Sequence, residues 1–288
     1  MRATRRIRFK MFVRPDMLED RDVIGFPDAS KLLARRTTLS WRRVDLYALL
    51  FQCLGNSPLG GAEFRNILKS TFKIEFLEAG AYWTVPHALR TEEDLQERVF
   101  ISIAGNAMSA SPTGQKRGKP YSWLVNHLQD GRDQVSPRSF SEAVRQAAEK
   151  TIDEFSAYHL PLHFSAIQSG VQAASQVRVD ELVKEDYPWV AMLMQPLKGI
   201  LTVPCDAKDI GTIWKKARVL DDLRASLTGR NTIVKLPPQR LDEGYMGVLA
   251  DLQDLGVVQR LSDNRIQMPD VYRIAFGLGR RGGVKPLK

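Results

Sequence analysis

The residues of this 288-residue chain best equipped for chemistry are its arginines and lysines, and their placement is uneven. Arg2, Arg5, Arg6, Arg8, Lys10 and Arg14 crowd the start with no acid among them, and Arg280, Arg281, Lys285 and Lys288 crowd the end. Together they outweigh the formal net charge of +9, so everything between the two ends is close to neutral. Affinity for a polyanion is therefore expected from the ends, each neutralising a few phosphates and weakening as salt rises. On charge alone, two solvated basic tails are the plainer reading.

Other chemistry is thinner. Residues 109–119, rich in glycine and lysine, resemble a phosphate loop only at first sight. A Walker A loop needs Gly, four residues, then Gly-Lys-Ser/Thr between a strand and a helix, so that backbone N–H groups cradle the phosphates. Gly118-Lys119 runs instead into Pro120, which has no N–H to offer, and no strand precedes it. A surface loop is expected there. His159 and His163 stand four apart but are separated by Pro161, which breaks a shared helical metal face, and His127 reads as a surface or partly buried helix residue. Cys53 and Cys205 have no Cys or His at ligand spacing; they imply neither a disulfide framework nor a zinc site and read as small buried thiols. With no Ser/His/Asp, paired-carboxylate or metal constellation, the expectation is a protein that is not an enzyme by itself.

The elements that would position these residues follow from composition and periodicity. With 43% hydrophobic and 26% charged residues the chain has enough apolar side chains for a sizeable core, and its length suggests two domains. No run of about 18 apolar residues could span a bilayer, and the arginine-rich start lacks the apolar stretch of a secretory signal, so no membrane association and a cytoplasmic location are expected. Residues 7–13 alternate apolar and basic side chains and read as a strand ending at Arg14-Pro15. Helical spacing follows: from Ser40 as an N-cap to a stop at Gly55, from Pro58, from Thr91 with Asp94 as a capping box, and from Pro120 to Gly131. Ser136 and Pro137 open the longest apolar stripe, Phe140 to Tyr158. Further helices are expected over 164–184, from Pro188 to Leu197, and from Asp206 through Leu227. The last seventy residues read as a helix from Tyr245 to Leu255 stopped by Gly256, a hairpin of 257–261 and 265–268, and a short helix from Pro269 through Phe276. The fold class expected is mainly α. Helices followed by a small β-hairpin give the order of a winged-helix domain.

Several short motifs carry a resemblance: Lys10-Met-Phe-Val-Arg14-Pro-Asp16, Leu39-Ser-Trp41, Pro120-Tyr-Ser-Trp123, Ser136-Pro-Arg138, Met268-Pro-Asp-Val-Tyr-Arg273 and Gly279-Arg-Arg-Gly-Gly283. Over nearly its whole length the chain resembles the C-terminal part of a family of uncharacterised prokaryotic P-loop ATPases related to the STAND and AAA+ groups. The resemblance implies a sensor strand, a helical lid and a winged helix placed after a nucleotide-binding core. It makes Arg14 a sensor arginine directed at the γ-phosphate and places Pro137 and Arg138 at the start of a lid helix near the nucleotide. The departure is as informative: no Walker A or Walker B sequence occurs, so no cofactor is expected on this chain alone, and ATP with Mg²⁺ only beside a missing ATPase core.

The organisation expected is a strand of an ATPase-like core over residues 1–16, a helical lid-like domain over 17–160, a helical connector over 161–230, and a winged-helix domain with a basic tail over 231–288. The function expected is a non-catalytic regulatory part of such an ATPase, coupling nucleotide state to a protein partner or to the missing N-terminal core. The alternative is a free-standing winged-helix DNA-binding protein contacting the DNA backbone through Arg260 and Arg265 of the hairpin and Arg280, Arg281 and Lys285 of the tail. In STAND-like proteins a winged helix often serves protein contacts or autoinhibition, so the resemblance does not imply DNA binding.

Overall fold

A computed structural model of the chain describes residues 10–13, 29–34, 36–109, 117–228 and 236–286, divided between two units, Met1–Ser40 and Trp41–Lys288. In the first unit, Ala29–Leu33 form a short helix, α1, while residues 10–13 have no regular structure and expose Met11 and Phe12. This corrects the strand expected over 7–13 for its described part. A strand is held by ladder bonds to a neighbour, and residues 10–13 form none with any described residue.

The second unit is mainly α-helical. It begins with α2 (Arg43–Gly55), α3 (Gly61–Ile67) continued by a π-turn over Leu68–Phe72, and a hairpin of β1 (Leu77–Ala79) and β2 (Tyr82–Thr84). There follow α4 (His87–Thr91), α5 (Glu93–Ala104), α6 (Pro120–Leu128), α7 (Pro137–Glu154) and α8 (Phe164–Glu181), the last running into a π-turn over Leu182–Asp186. Next come α9 (Pro188–Met194), β3 (Thr202–Val203), α10 (Ala207–Lys216), α11 (Val219–Thr228) and α12 (Gly244–Asp254). The chain closes with β4 (Gln259–Arg260), β5 (Ile266–Gln267), α13 (Asp270–Arg273) and β6 (Gly279–Arg280).

Three helix starts differ from expectation for local reasons. The first is α2, whose opening turn is organised by Asp45: it accepts the Arg42 backbone N–H at 3.0 Å and the Arg42 guanidinium at 3.0 and 3.1 Å, so Ser40 lies outside the helix. Pro58 sits in a turn before α3. The Thr91 hydroxyl donates backwards to the His87 carbonyl, and Glu92 becomes the N-cap of α5. The single helix expected from Asp206 to Leu227 is two, broken where Arg218 takes a left-handed φ of 55°.

The strands near the C-terminus form two two-stranded pairs linked by a single bridge. Antiparallel β4 and β5 are joined through Asn264 at φ 67°, Cys205 bridges to Ile266 of β5, and the adjoining β3 pairs in parallel with β6.

Two apolar clusters form the core. The first gathers Tyr47, Phe51, Phe100, Tyr121 and Phe140, with Tyr47 stacked on Tyr121 at 4.2 Å and edge-on to Phe100 at 4.8 Å. Its buried polar atoms are used: the Tyr47 hydroxyl donates to the Tyr121 carbonyl, the Tyr121 hydroxyl to Gln96 Oε1, and Gln96 Nε2 to the carbonyls of Val44 and Leu89. The second gathers Trp189, Leu193, Trp214, Leu252, Ile266 and Tyr272. Helix α8 belongs to both, placing Ala166, Ile167, Val171 and Ala174 in the first and Val179 in the second. Its close crossing with α7 depends on Gly170, where a Cβ would stand 2.1 Å from the Ala143 carbonyl oxygen.

Candidate functional site

Arg14 lies outside the described residues. Pro137 takes the first position of α7, where its missing N–H costs no helix bond. Arg138 beside it has a side chain 71% exposed, with Nη1 2.7 Å from Glu181 Oε1 at the end of α8. A cation at a helix N-terminus meets the positive end of the dipole, so this carboxylate offsets an unfavourable placement. Arg178 Nη1 approaches the other Glu181 oxygen at 3.7 Å, and its guanidinium lies 5.8 Å from the centroid of the Tyr272 ring. A continuous path of charge contacts therefore leads from the start of α7, through the end of α8, to α13.

The five basic residues of the hairpin and tail sit in different settings. Arg260 on β4 is exposed and forms no ion pair with a described residue. Arg265 is clamped to Asp263 at 2.7 Å, and that partnership holds the Asp263 carboxyl below its usual range. Arg280 on β6 reaches Asp270 Oδ1 at 3.2 Å. Arg281 and Lys285 are exposed, with no ion pair among the described residues. Arg260 lies on β4, paired with β5, whereas Arg280 lies on β6, paired with β3. Helix α12, which precedes the hairpin, contains no Lys or Arg. Its Asp251 and Asp254 are held by Arg240 at 2.9 and 2.6 Å.

A buried charged cluster lies around α13, inside the Met268–Arg273 motif. Arg273 is fully buried and donates to Asp270 Oδ1 at 2.7 Å, the Leu278 carbonyl at 2.9 Å and the Val284 carbonyl at 2.5 Å. Asp270 is buried as well, and its Oδ2 has no hydrogen-bond partner among the described residues. His127 Nε2 on α6 faces that oxygen at 3.5 Å, its Nδ1 is 2.8 Å from the Trp123 carbonyl, and its ring stacks on Trp123 at 3.9 Å. Burial is the main force on the His127 imidazole and lowers its pKa; the Trp123 carbonyl and Asp270 oppose this, while Arg280 and Arg273 reinforce it. Ser175 on α8 ties in the backbone, donating to the Val271 carbonyl at 2.9 Å and accepting from Ala275 N–H at 3.1 Å.

This cluster fastens the end of the chain. Val284 is buried in the first apolar cluster, and Gln172 donates to the Lys285 carbonyl at 3.0 Å. Through residue 286, then, the expected solvated tail is a docked strap carrying exposed Arg281 and Lys285 side chains. Asp270 and Arg273 belong to the Met268–Arg273 motif, which by itself gives neither residue a role. Their spacing of three at the start of a helix, where an acid and a base share a face, was the available signal. Glu181 and Arg178 carried no comparable mark.

Cys53 is exposed, which corrects the expectation of a buried thiol; Cys205 is buried, and burial pushes its thiol up to about 11. A void in the second cluster, bordered by Met194, Trp214, Leu252, Ile266, Met268 and Leu278, measures about 10 Å³. It is a packing defect rather than a pocket for a ligand, which needs several hundred Å³. Among the described residues no helix is long and apolar enough to cross a membrane. Compared with protein-family models, curated proteins and solved structures, the chain matches none.

Proposed function

We propose that the chain is a regulatory and interaction part of a STAND/AAA+-like ATPase, not a catalyst by itself, and that it relays nucleotide state to a protein partner in the cytoplasm. The observation that carries this reading is the path Arg138–Glu181–Arg178–Tyr272. An exposed arginine at the start of a lid-like helix can exchange its carboxylate partner for a phosphate supplied by a neighbouring core. Glu181 would then turn to Arg178 alone, and the change would reach α13 and the strap behind it. Arg14 would supply a second sensing cation. ATP and Mg²⁺ would be held by the core and not by this chain.

In this proposal the C-terminal elements form a winged helix whose partner is a protein rather than DNA. A helix that enters the major groove brings cations to phosphates and base edges. Helix α12 offers none, and of the five basic residues proposed for DNA, Arg265 and Arg280 are already paired with carboxylates.

The test is to recover the native protein with an antibody against residues 200–288. A polypeptide well above 32.5 kDa that contains a P-loop core, or a stable companion protein that does, is the expected result. A 32.5 kDa species with no ATP-binding companion would overturn the proposal, and salt-sensitive duplex binding lost on neutralising Arg260, Arg281 and Lys285 would favour DNA instead.

A further inference from the structure

We infer that the outer edge of β1 is a strand-addition site, and that its occupant is an extended segment of a protein partner in which basic and apolar side chains alternate. The β1–β2 hairpin has two long edges, and the fold treats them differently. Trp83 of β2, opposite Glu78 of β1, donates its N–H to Asn56 Oδ1 at 2.7 Å, and its carbonyl accepts from Gln52 Nε2 at 2.6 Å and Asn56 Nδ2 at 2.7 Å. Val85, two residues on, donates its N–H to Gln52 Oε1 at 2.9 Å. Two amide side chains of α2 therefore close the edge of β2, supplying the bonds a neighbouring strand would make.

The same bonds fix the direction of the β1 backbone. Opposed residues of an antiparallel pair either exchange both ladder bonds or both turn their groups outward. Because Trp83 is engaged by α2, Glu78 turns its N–H and C=O to the far side of β1, and Phe76, opposite Val85 in the same register, does likewise. Neither of these backbone pairs is bonded to a described residue, and Leu77 and Glu78 are exposed. One edge of the hairpin is thus covered and the other is open.

What the edge presents sets the chemistry of its occupant. Side chains of an added strand stand beside those of β1 and alternate between the two faces of the hairpin. On one face lie Leu77 and Tyr82, 63% and 56% exposed, which calls for apolar neighbours. On the other lies Glu78, with no ion pair among the described residues. The cations of α3 and of the turn leading into β1 are committed elsewhere: Arg65 lies 4.3 Å from the centroid of the Trp83 ring and donates to the Gly55 carbonyl, Lys69 pairs with Glu75 at 3.0 Å, and Lys73 donates to the Ser70 carbonyl at 3.0 Å. A basic residue opposite Glu78, flanked by apolar ones, completes the edge. A second copy adding through its own β1 would bring the same acids to it, and like charges side by side are destabilising. The site shares no residue with the Arg138–Glu181 path and needs no nucleotide, so it stands or falls separately from the proposed function.

The experiment adds a short capped peptide of alternating lysine and valine to the full chain, with anisotropy of a dye on the peptide reporting binding and amide hydrogen exchange reporting its place. Saturable binding with a Kd below about 1 mM is expected, with new protection at Phe76 and Glu78 and none in α12. Methylating alternate backbone nitrogens of the peptide keeps its charge and removes its ladder donors in one frame only; that frame should weaken binding about tenfold or more and the other should not. Glu78→Lys should weaken the lysine–valine peptide about fivefold or more and turn the preference toward a glutamate–valine peptide. No binding at about 1 mM, protection away from β1, or equal effects of the two methylation frames overturns the site. Self-association of the chain alone that protects the same two amides assigns the edge to a second copy and overturns the occupant.

Discussion

Arg273→Met tests whether the cluster around α13 fastens the C-terminal end of the chain. The guanidinium is fully buried, and its three bonds end on Asp270 Oδ1 and on the carbonyls of Leu278 and Val284. Breaking a buried ion pair by removing one partner costs about 3–5 kcal/mol, because the other charge is left uncompensated. Here Arg280 stays 3.2 Å from Asp270 and offsets part of that, while two carbonyls lose a charged donor. The lower end, about 3 kcal/mol, is the expectation. Asp270→Asn alone should also destabilise, by leaving Arg273 buried without its counter-charge. The double variant Asp270→Asn/Arg273→Met should lose less than the sum of the singles, with a coupling of about 1.5 kcal/mol or more, since residues in one network are not additive. Urea unfolding followed by far-ultraviolet circular dichroism measures all three against the wild type. A loss below about 1 kcal/mol for R273M, or additive singles, would refute the argument that this arginine is a buried clamp.

Three further outcomes are expected. Gly170→Ala should destabilise by about 2 kcal/mol or more, because the added methyl meets the Ala143 carbonyl at 2.1 Å and the α7–α8 crossing must open; an unchanged urea midpoint would show that the helices do not approach so closely. A chromogenic disulfide reagent at pH 8 should titrate one thiol in the native protein, exposed Cys53, and the second only after unfolding, since Cys205 is buried with its thiol pushed up to about 11. In an alkaline titration at 295 nm, Tyr47, Tyr121 and Tyr272 should remain protonated through pH 10, because burial is the leading cause raising each of them. These phenols contribute stability that is present below pH 10 and lost as pH rises through their folded-state values, so ionisation of all seven tyrosines near pH 10 would count against the buried aromatic cluster.

Much of the helical framework was legible because its signals are local. Pro137 after Ser136, Asp206 before α10, and Gly256 after the apolar stripe of α12 each act within one turn of chain, and each stands where the sequence put it. The hairpin turn through Asn264 was readable for the same reason. The failures share a different cause. Strand pairing of Cys205 with Ile266, and of β3 with β6, joins segments some sixty to eighty residues apart and leaves no periodic trace in two-residue strands. The break at Arg218 interrupts an apolar stripe that continues in register on both sides, so periodicity alone could not find it. The charged tail misled for a third reason: Val284, one apolar residue among glycines and cations, decides that the segment docks. Around the candidate site, Arg138 stands in a short motif, whereas Glu181 and Arg178 carry no local mark because their contacts join the start of α7 to the end of α8.

Helix α8 has a consequence for the modularity of the chain. A helix that lines two cores cannot be assigned to either side of a cut: severed from the first, it bares Ala166, Ile167, Val171 and Ala174, and severed from the second, it bares Val179. Recombination within or beside it would therefore yield two halves with open apolar faces, each prone to self-association. Natural rearrangements and deliberate truncations alike should inherit or lose the stretch from Trp41 to the docked strap as one indivisible block, and its variation should accumulate at the margins of that block rather than at its centre.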